Sequence, residues 1–204
     1  GLLYLAQPTV EIANATKGVK VSWSKVSGAT GYTVYRSELS NGKWTKWKNM
    51  GTAKSNKSSW VDKSVISGVT YKYTVRAVNG DSKSVYVASQ TLHYIAAPVV
   101  TLEETETGIN VSWTKVDGAK NYTVYRSVLG EDGKWSSWQN KGTVKGTKSS
   151  WVDKSTGEDV VYRYTVRAIN GKLKSAYVAS EPVMIESEKE PEKESGTKPE
   201  TQQN

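Results

Sequence analysis

Polar and apolar positions alternate with a period of two through most of the chain. Val19, Val21 and Trp23 fall on one side, with Lys20 and Ser22 on the other. Tyr32 and Val34 oppose Thr33 and Tyr35, and Tyr71, Tyr73, Val75 and Ala77 oppose Lys72, Thr74 and Arg76. The pattern returns in Ile109, Val111 and Trp113, in Tyr122 and Val124, and in Tyr162, Tyr164, Val166 and Ala168. Successive side chains of a strand point to opposite faces, so this alternation marks strands buried on one side. No stretch carries a helical period. Asn41-Gly42 and Asp132-Gly133 provide hairpin turns, Gly28 and Gly118 mark an earlier turn, and Asn79-Gly80 and Asn170-Gly171 a later one. About seven short strands per ninety residues predict an all-β sandwich.

The alternation is written twice. VSWSKVSGATGYTVYRS from Val21 returns as VSWTKVDGAKNYTVYRS from Val111. The offset is 90 through Arg36 and Arg126, and 91 from Trp44 and Trp135 onward. The extra residue falls in the hairpin between these pairs, an exposed tip where insertions are tolerated. A repeat of this length is a whole small domain, not a solenoid turn. The chain divides into a first domain over 1–95, a second over 96–185, and a segment over 186–204. Pro8 and Pro98 open the copies at edge-strand positions. Tyr4-Leu5-Ala6 parallels Tyr94-Ile95-Ala96, so Leu2 to Leu5 read as the end of a preceding copy in a longer array. The handover contains no Gly/Ser stretch, which predicts stiff coupling. Residues 186–204, rich in Glu, Lys, Pro and Ser, cannot build a core and are expected to form a disordered linker or tail.

Composition narrows the function. Eight Trp and twelve Tyr, with no Phe and no Cys, predict cores of large rings that each keep a polar handle. Charge is uneven, with 13 basic and 4 acidic residues in 1–95, 12 and 10 in 96–185, and 3 and 6 in 186–204. A nucleic-acid partner shared by the copies would need both to be basic, so none is expected. No apolar run is long enough for a membrane helix. Nucleophilic catalysis lacks its parts: there is no Cys, and the one His, His93, sits at the junction. The only acidic residues common to both copies are Asp62 and Asp153, one each, which fit turns better than paired acid–base work. Glu103, Glu104 and Glu106 cluster without a metal-ligand spacing. No enzyme activity, cofactor or metal is expected, and duplication without a reactive constellation points to a spacer or a binding unit.

The ordered set V-x-V-S-W, G-Y-T-V-Y-R and Y-x-Y-T-V-R-A-x-N-G, occurring twice, resembles the fibronectin type III domain. That resemblance covers nearly all of the chain before residue 186. It implies two tandem seven-stranded immunoglobulin-like sandwiches, with Trp23 and Trp113 in the cores beside Tyr32 and Tyr122. Tyr71 and Tyr162 would close a tyrosine corner, and Trp60 and Trp151 would be core residues of the fifth strand. Val65-Ile66-Ser67-Gly68 and Ser155-Thr156-Gly157-Glu158 replace the family's Leu-x-Pro-Gly turn, and no Arg-Gly-Asp triplet is present. The wording looks most like repeats in surface and secreted proteins of Gram-positive bacteria. It implies a monomeric, extracellular or wall-associated spacer, whose partners are other domains of the same chain.

The alternative is adhesion or carbohydrate binding. Each copy carries G-K-W-x-x-W, with Trp44 and Trp47, then Trp135 and Trp138. Residues three apart on a regular strand face opposite sides. The resemblance assigns Trp47 and Trp138 to the core, which leaves Trp44 and Trp135 outward with Tyr35 and Tyr125. Those four are the candidate binding residues, able to stack on a polysaccharide ring or on a cation of a surface protein. The competing reading is a cross-strand Trp44–Tyr35 pair that only stabilises its sheet.

Overall fold

A computed structural model describes residues 4–187 and contains strands and turns but no helix. The expectation for the tail therefore lies, from residue 188 onward, outside the described residues. Among the described residues no helix is long and apolar enough to cross a membrane.

The first repeat runs β1 (Val10–Ala15), β2 (Gly18–Trp23), β3 (Gly31–Ser40), β4 (Lys43–Trp44), β5 (Lys48–Lys54), β6 (Ser59–Asp62), β7 (Thr70–Asn79), β8 (Ser82–Lys83) and β9 (Leu92–His93). One sheet has the order β1-β2-β6. The other is centred on β3 and β7, with β4 and β5 along the free edge of β3, and β8 and β9 along that of β7. All pairs are antiparallel. The second repeat reproduces this with β10 (Val100–Thr105), β11 (Gly108–Trp113), β12 (Asn121–Val128), β13 (Gln139–Lys145), β14 (Ser150–Asp153), β15 (Val161–Asn170), β16 (Leu173–Lys174) and β17 (Val183–Met184). Its sheets are β10-β11-β14, and β13-β12-β15 with β16 and β17 beside β15.

Seven strands per repeat emerge once the broken edges are joined. Between β8 and β9 the chain still follows β7: Ser84 N donates to Ala77 O and Ser89 N to Tyr73 O. Hydroxyl groups fill the gaps in that ladder. Ser84 Oγ accepts from Ala77 N, and Ser89 Oγ accepts from Tyr73 N. The backbone amides are thus paired even where the regular strand lapses.

Alternation delivers the expected inward faces. Val19, Val21, Trp23, Tyr32, Val34, Tyr71, Tyr73, Val75 and Ala77 form one buried cluster. Ile109, Val111, Trp113, Tyr122, Val124, Tyr162, Tyr164, Val166 and Ala168 form another. Trp23 and Tyr32 meet at 5.5 Å between ring centres, and Trp113 and Tyr122 at 5.4 Å. Tyr32 and Tyr122 turn their hydroxyls to Val26 N and Val116 N, each at 2.8 Å. The handle expected of every ring is not used everywhere, because the buried indole N–H of Trp23 and of Trp113 has no protein acceptor. Trp60 and Trp151 lie against the cores but are only half-buried. Their strands, β6 and β14, are sheet edges, so one flank of each ring stays open.

The tyrosine corners form without the Leu-x-Pro-Gly turn. Ile66 N donates to Tyr71 Oη at 2.8 Å, and Gly157 N to Tyr162 Oη at 2.9 Å. These bonds correct the alignment of the turn by one residue: Thr156-Gly157-Glu158-Asp159 matches Val65-Ile66-Ser67-Gly68. Asp159, at φ 56°, takes the left-handed place of Gly68 at φ 84°.

Candidate functional site

Two clusters of polar and aromatic side chains recur in both repeats, one sealed inside and one on the surface. The inner one centres on Asp62, at the end of β6 and 1% exposed. Its Oδ1 accepts from Ser64 N at 2.9 Å and Ser64 Oγ at 2.7 Å. Its Oδ2 accepts from Arg36 Nη1 at 2.9 Å and Tyr73 Oη at 2.8 Å. Arg36 shares the inward side of β3 with Tyr32 and Val34, and its guanidinium lies 5.1 Å from the centre of the Tyr71 ring. Asp153, Ser155, Arg126 and Tyr164 repeat the arrangement, with the ion pair at 3.0 Å. Burial alone would raise the Asp62 carboxyl. The Ser64 hydrogen bonds, with Tyr73 and Arg36, outweigh it and hold the group below the ordinary carboxylate range. Burial, reinforced by the adjoining carboxylate, pushes the Tyr73 and Tyr164 phenols strongly up. The turn role expected of Asp62 and Asp153 is present in the bonds to Ser64 N and Ser155 N, but each also anchors a buried charge network. A carboxylate so enclosed and saturated with donors has no face for a substrate.

The outer cluster covers the exposed side of the β3/β7 sheet. Lys72 and Arg76, four apart on β7, project outward together. Lys72 Nζ sits 4.3 Å from the Trp44 ring centre and 5.4 Å from that of Trp47. Trp47 stacks on Tyr86 at 6.4 Å and 17° between planes, and Tyr35 meets Tyr86 edge-on at 5.2 Å. Arg76 lies over the Tyr86 ring at 4.3 Å. In the second repeat Arg163 takes the place of Lys72, 4.3 Å from Trp135 and 4.9 Å from Trp138. Trp138 stacks on Tyr177 at 6.3 Å, Tyr125 meets Tyr177 at 5.2 Å, and Arg167 covers Tyr177 at 4.2 Å.

Trp47 and Trp138 are thus not core residues. Both lie half-buried on the outer face, on the same side as Trp44 and Trp135. Strand geometry lapses between Trp44 and Lys48, so alternation does not carry across. Thr45 instead folds back on β3, donating its N–H to Glu38 O while Thr45 O accepts from Ser37 Oγ. Ser136 does the same in the second repeat. Nor are Trp44 and Tyr35 joined directly. Trp44 lies against Lys72 and Tyr35 meets Tyr86 edge-on, with Trp47 between. Arg36, the residue after Tyr35, is buried. The members missed from sequence are Lys72, Arg76, Tyr86 and their counterparts. Their signals were present in the outward alternation of β7 and in the repeated Tyr86-Val87-Ala88-Ser89 and Tyr177-Val178-Ala179-Ser180.

Residues 97–189 match a family model described as the fibronectin type III domain, SaeA second domain. The repeat belongs to the fibronectin type III family. The first repeat carries the same strand order, register and tyrosine corner, which makes the chain a tandem of this fold. A segment of an amylopullulanase from Thermoanaerobacterium saccharolyticum is 31% identical over 93 residues, covering 45% of this chain and 7% of that enzyme. Another, from Thermoanaerobacterium thermosulfurigenes, is 27% identical over 94 residues, covering 46% and 5%. The chain thus spans only a small part of the relatives it matches. Among solved structures, a two-domain fibronectin type III segment of chicken tenascin is 17% identical, covering 87% of this chain and 99% of its own (TM-score 0.41). The chicken interferon gamma receptor alpha chain is 14% identical, covering 89% and 98% (TM-score 0.47). The fibronectin type III domain, the family matched over residues 97–189, is typically a non-catalytic module.

Proposed function

We propose that the tandem is an extracellular spacer in a larger bacterial protein, holding other domains at a set distance. The observation that carries this reading is the joint between the repeats. Tyr94 is buried in the first core and the very next residue, Ile95, in the second. Tyr94 donates its N–H to Val69 O and accepts from Gly68 N, each at 2.9 Å. Ser67 Oγ accepts from Ala96 N and donates to Asp117 O, each at 3.1 Å. Asn14 Nδ2 reaches Lys174 O at 3.3 Å. With no free residue between the cores, bending requires breaking core packing or these bonds. The partial matches to amylopullulanases support an exported bacterial parent whose enzymatic part lies outside this chain.

The outer face favours this reading over sugar binding. A sugar stacks on an open ring face, and here Lys72, Arg76 and Tyr86 already occupy faces of Trp44, Trp47 and their neighbours. Small-angle scattering of the chain tests the spacer: an elongated particle with one fixed angle between two sandwiches is expected. A profile that requires freely reorienting or side-by-side sandwiches rejects it.

A further inference from the structure

Tyr4 is 89% exposed, while Tyr94, its counterpart one repeat later, is 6% exposed. The neighbouring residues do not share this difference. Leu5 is buried in the first core, as Ile95 is in the second. Leu5 and Ile95 therefore open their sandwiches, and Tyr94 closes the sandwich before it. Tyr4 has the closing residue's chemistry and position and lacks the sandwich to close.

The surface that would receive such a sandwich is also present. At the observed joint, the turn of the first repeat that ends in Ser67-Gly68 sits on Asp117-Gly118 of the second. A Cβ on Gly118 would come within 3.7 Å of Gly68 Cα. The Asn14 end of β1 reaches Lys174 at the last hairpin. The equivalents on the first repeat are Ser27-Gly28 and Lys83. Ser27 and Gly28 are exposed, and Gly28 (φ 77°) repeats the left-handed turn of Gly118 (φ 81°). The opposite end of the molecule differs. There Glu104 and Glu158 stand where Asn14 and Ser67 make the joint, around an open groove of about 400 Å³ that Glu106 and Glu186 also line. Carboxylates donate no hydrogen bond to a carbonyl, so that end cannot form the same clasp.

We propose that a further fibronectin type III module ends at Tyr4, buries that ring in its own core, and seats its last turns on Ser27-Gly28 and Lys83. The polarity of such a joint is then set by which ends carry hydroxyl and amide donors. This inference rests on the spacer reading, extending it from one joint to two.

Two measurements test it. The coding sequence of the parent should place a Tyr 23 positions and a hydrogen-bonding Ser, Thr or Asn 27 positions ahead of Tyr4, the spacings of Tyr71 and Ser67 from Tyr94. An upstream segment without that alternating, Trp- and Tyr-rich pattern overturns the proposal. Nitration by tetranitromethane, mapped by peptide mass spectrometry, should then compare this chain with one extended by its native ninety or so preceding residues. Burial should slow Tyr4 nitration by about tenfold or more in the extended chain, as for other protected groups. An unchanged Tyr4 rate, with Tyr94 still protected as proof of folding, overturns it. Scattering from the unextended chain does not involve Tyr4, so failure of the spacer reading is seen separately.

Discussion

At the scale of single residues, the least replaceable positions are those where backbone meets backbone. Gly18, at φ 119°, lets β2 begin under the end of β6; a Cβ there would stand 1.9 Å from Asp62 O. Gly42, at φ 74°, faces open space. Gly18→Ala should therefore cost roughly 3 kcal/mol or more, as left-handed strain and a backbone clash combine. Gly42→Ala should cost only about 1 kcal/mol. Urea unfolding of the two variants checks the order, and equal losses would refute it. The Asp62 network adds a pH dependence. Its folded carboxyl lies below its unfolded value of about 3.9, so its contribution is complete above that value and fades as the pH falls through the folded one. Asp62→Asn should remove roughly 3 kcal/mol at pH 7, by leaving Arg36 buried without its counter-charge. It should also flatten the first sandwich's loss of stability below pH 4, in denaturation curves taken at pH 7 and pH 3.

At the scale of elements, the outer face behaves as a brace between strands from distant parts of the sequence. Trp44 ends β4 and Trp47 follows it, Lys72 comes from β7, and Tyr86 from the edge segment between β8 and β9. The cation between two indoles ties a short, irregular edge to the centre of its sheet. A double-mutant cycle of Trp44→Ala and Lys72→Ala should give a coupling of about 0.5–1 kcal/mol, the range for a partly exposed cation–π pair. Zero coupling would show the contact to be incidental. The same variants bear on the binding alternative, since a role in polysaccharide retention would appear as lost pull-down on insoluble glucan with little loss of stability. The alternation made the outward position of Tyr35 on this face legible. The Trp47 assignment failed because alternation was carried through Thr45 and Lys46, where Thr45 bonds back to β3 and the strand breaks.

At the scale of the whole molecule, the repeats are joined by one hydroxyl, one amide and the change of core between two consecutive residues. Ser67→Ala removes the donor to Asp117 O and the acceptor of Ala96 N. Scattering should then show a wider spread of angles between the sandwiches, while the unfolding temperature changes by only a few degrees, as a surface hydrogen bond of about 1 kcal/mol implies. An unchanged angular spread would assign the stiffness to Tyr94 and Ile95 alone. The sequence by itself determined the class of the fold, the duplication, and which of Val19, Tyr32, Tyr71 and their copies turn inward, because a period of two and a long repeat are properties of the chain before it folds. Only the tertiary structure decided that Arg36 faces Asp62, that Trp44 and Trp47 share a side, and that Ser67 clasps Asp117. Those contacts join residues far apart in the chain, across broken strands and a domain junction, where spacing along the sequence carries no information about distance.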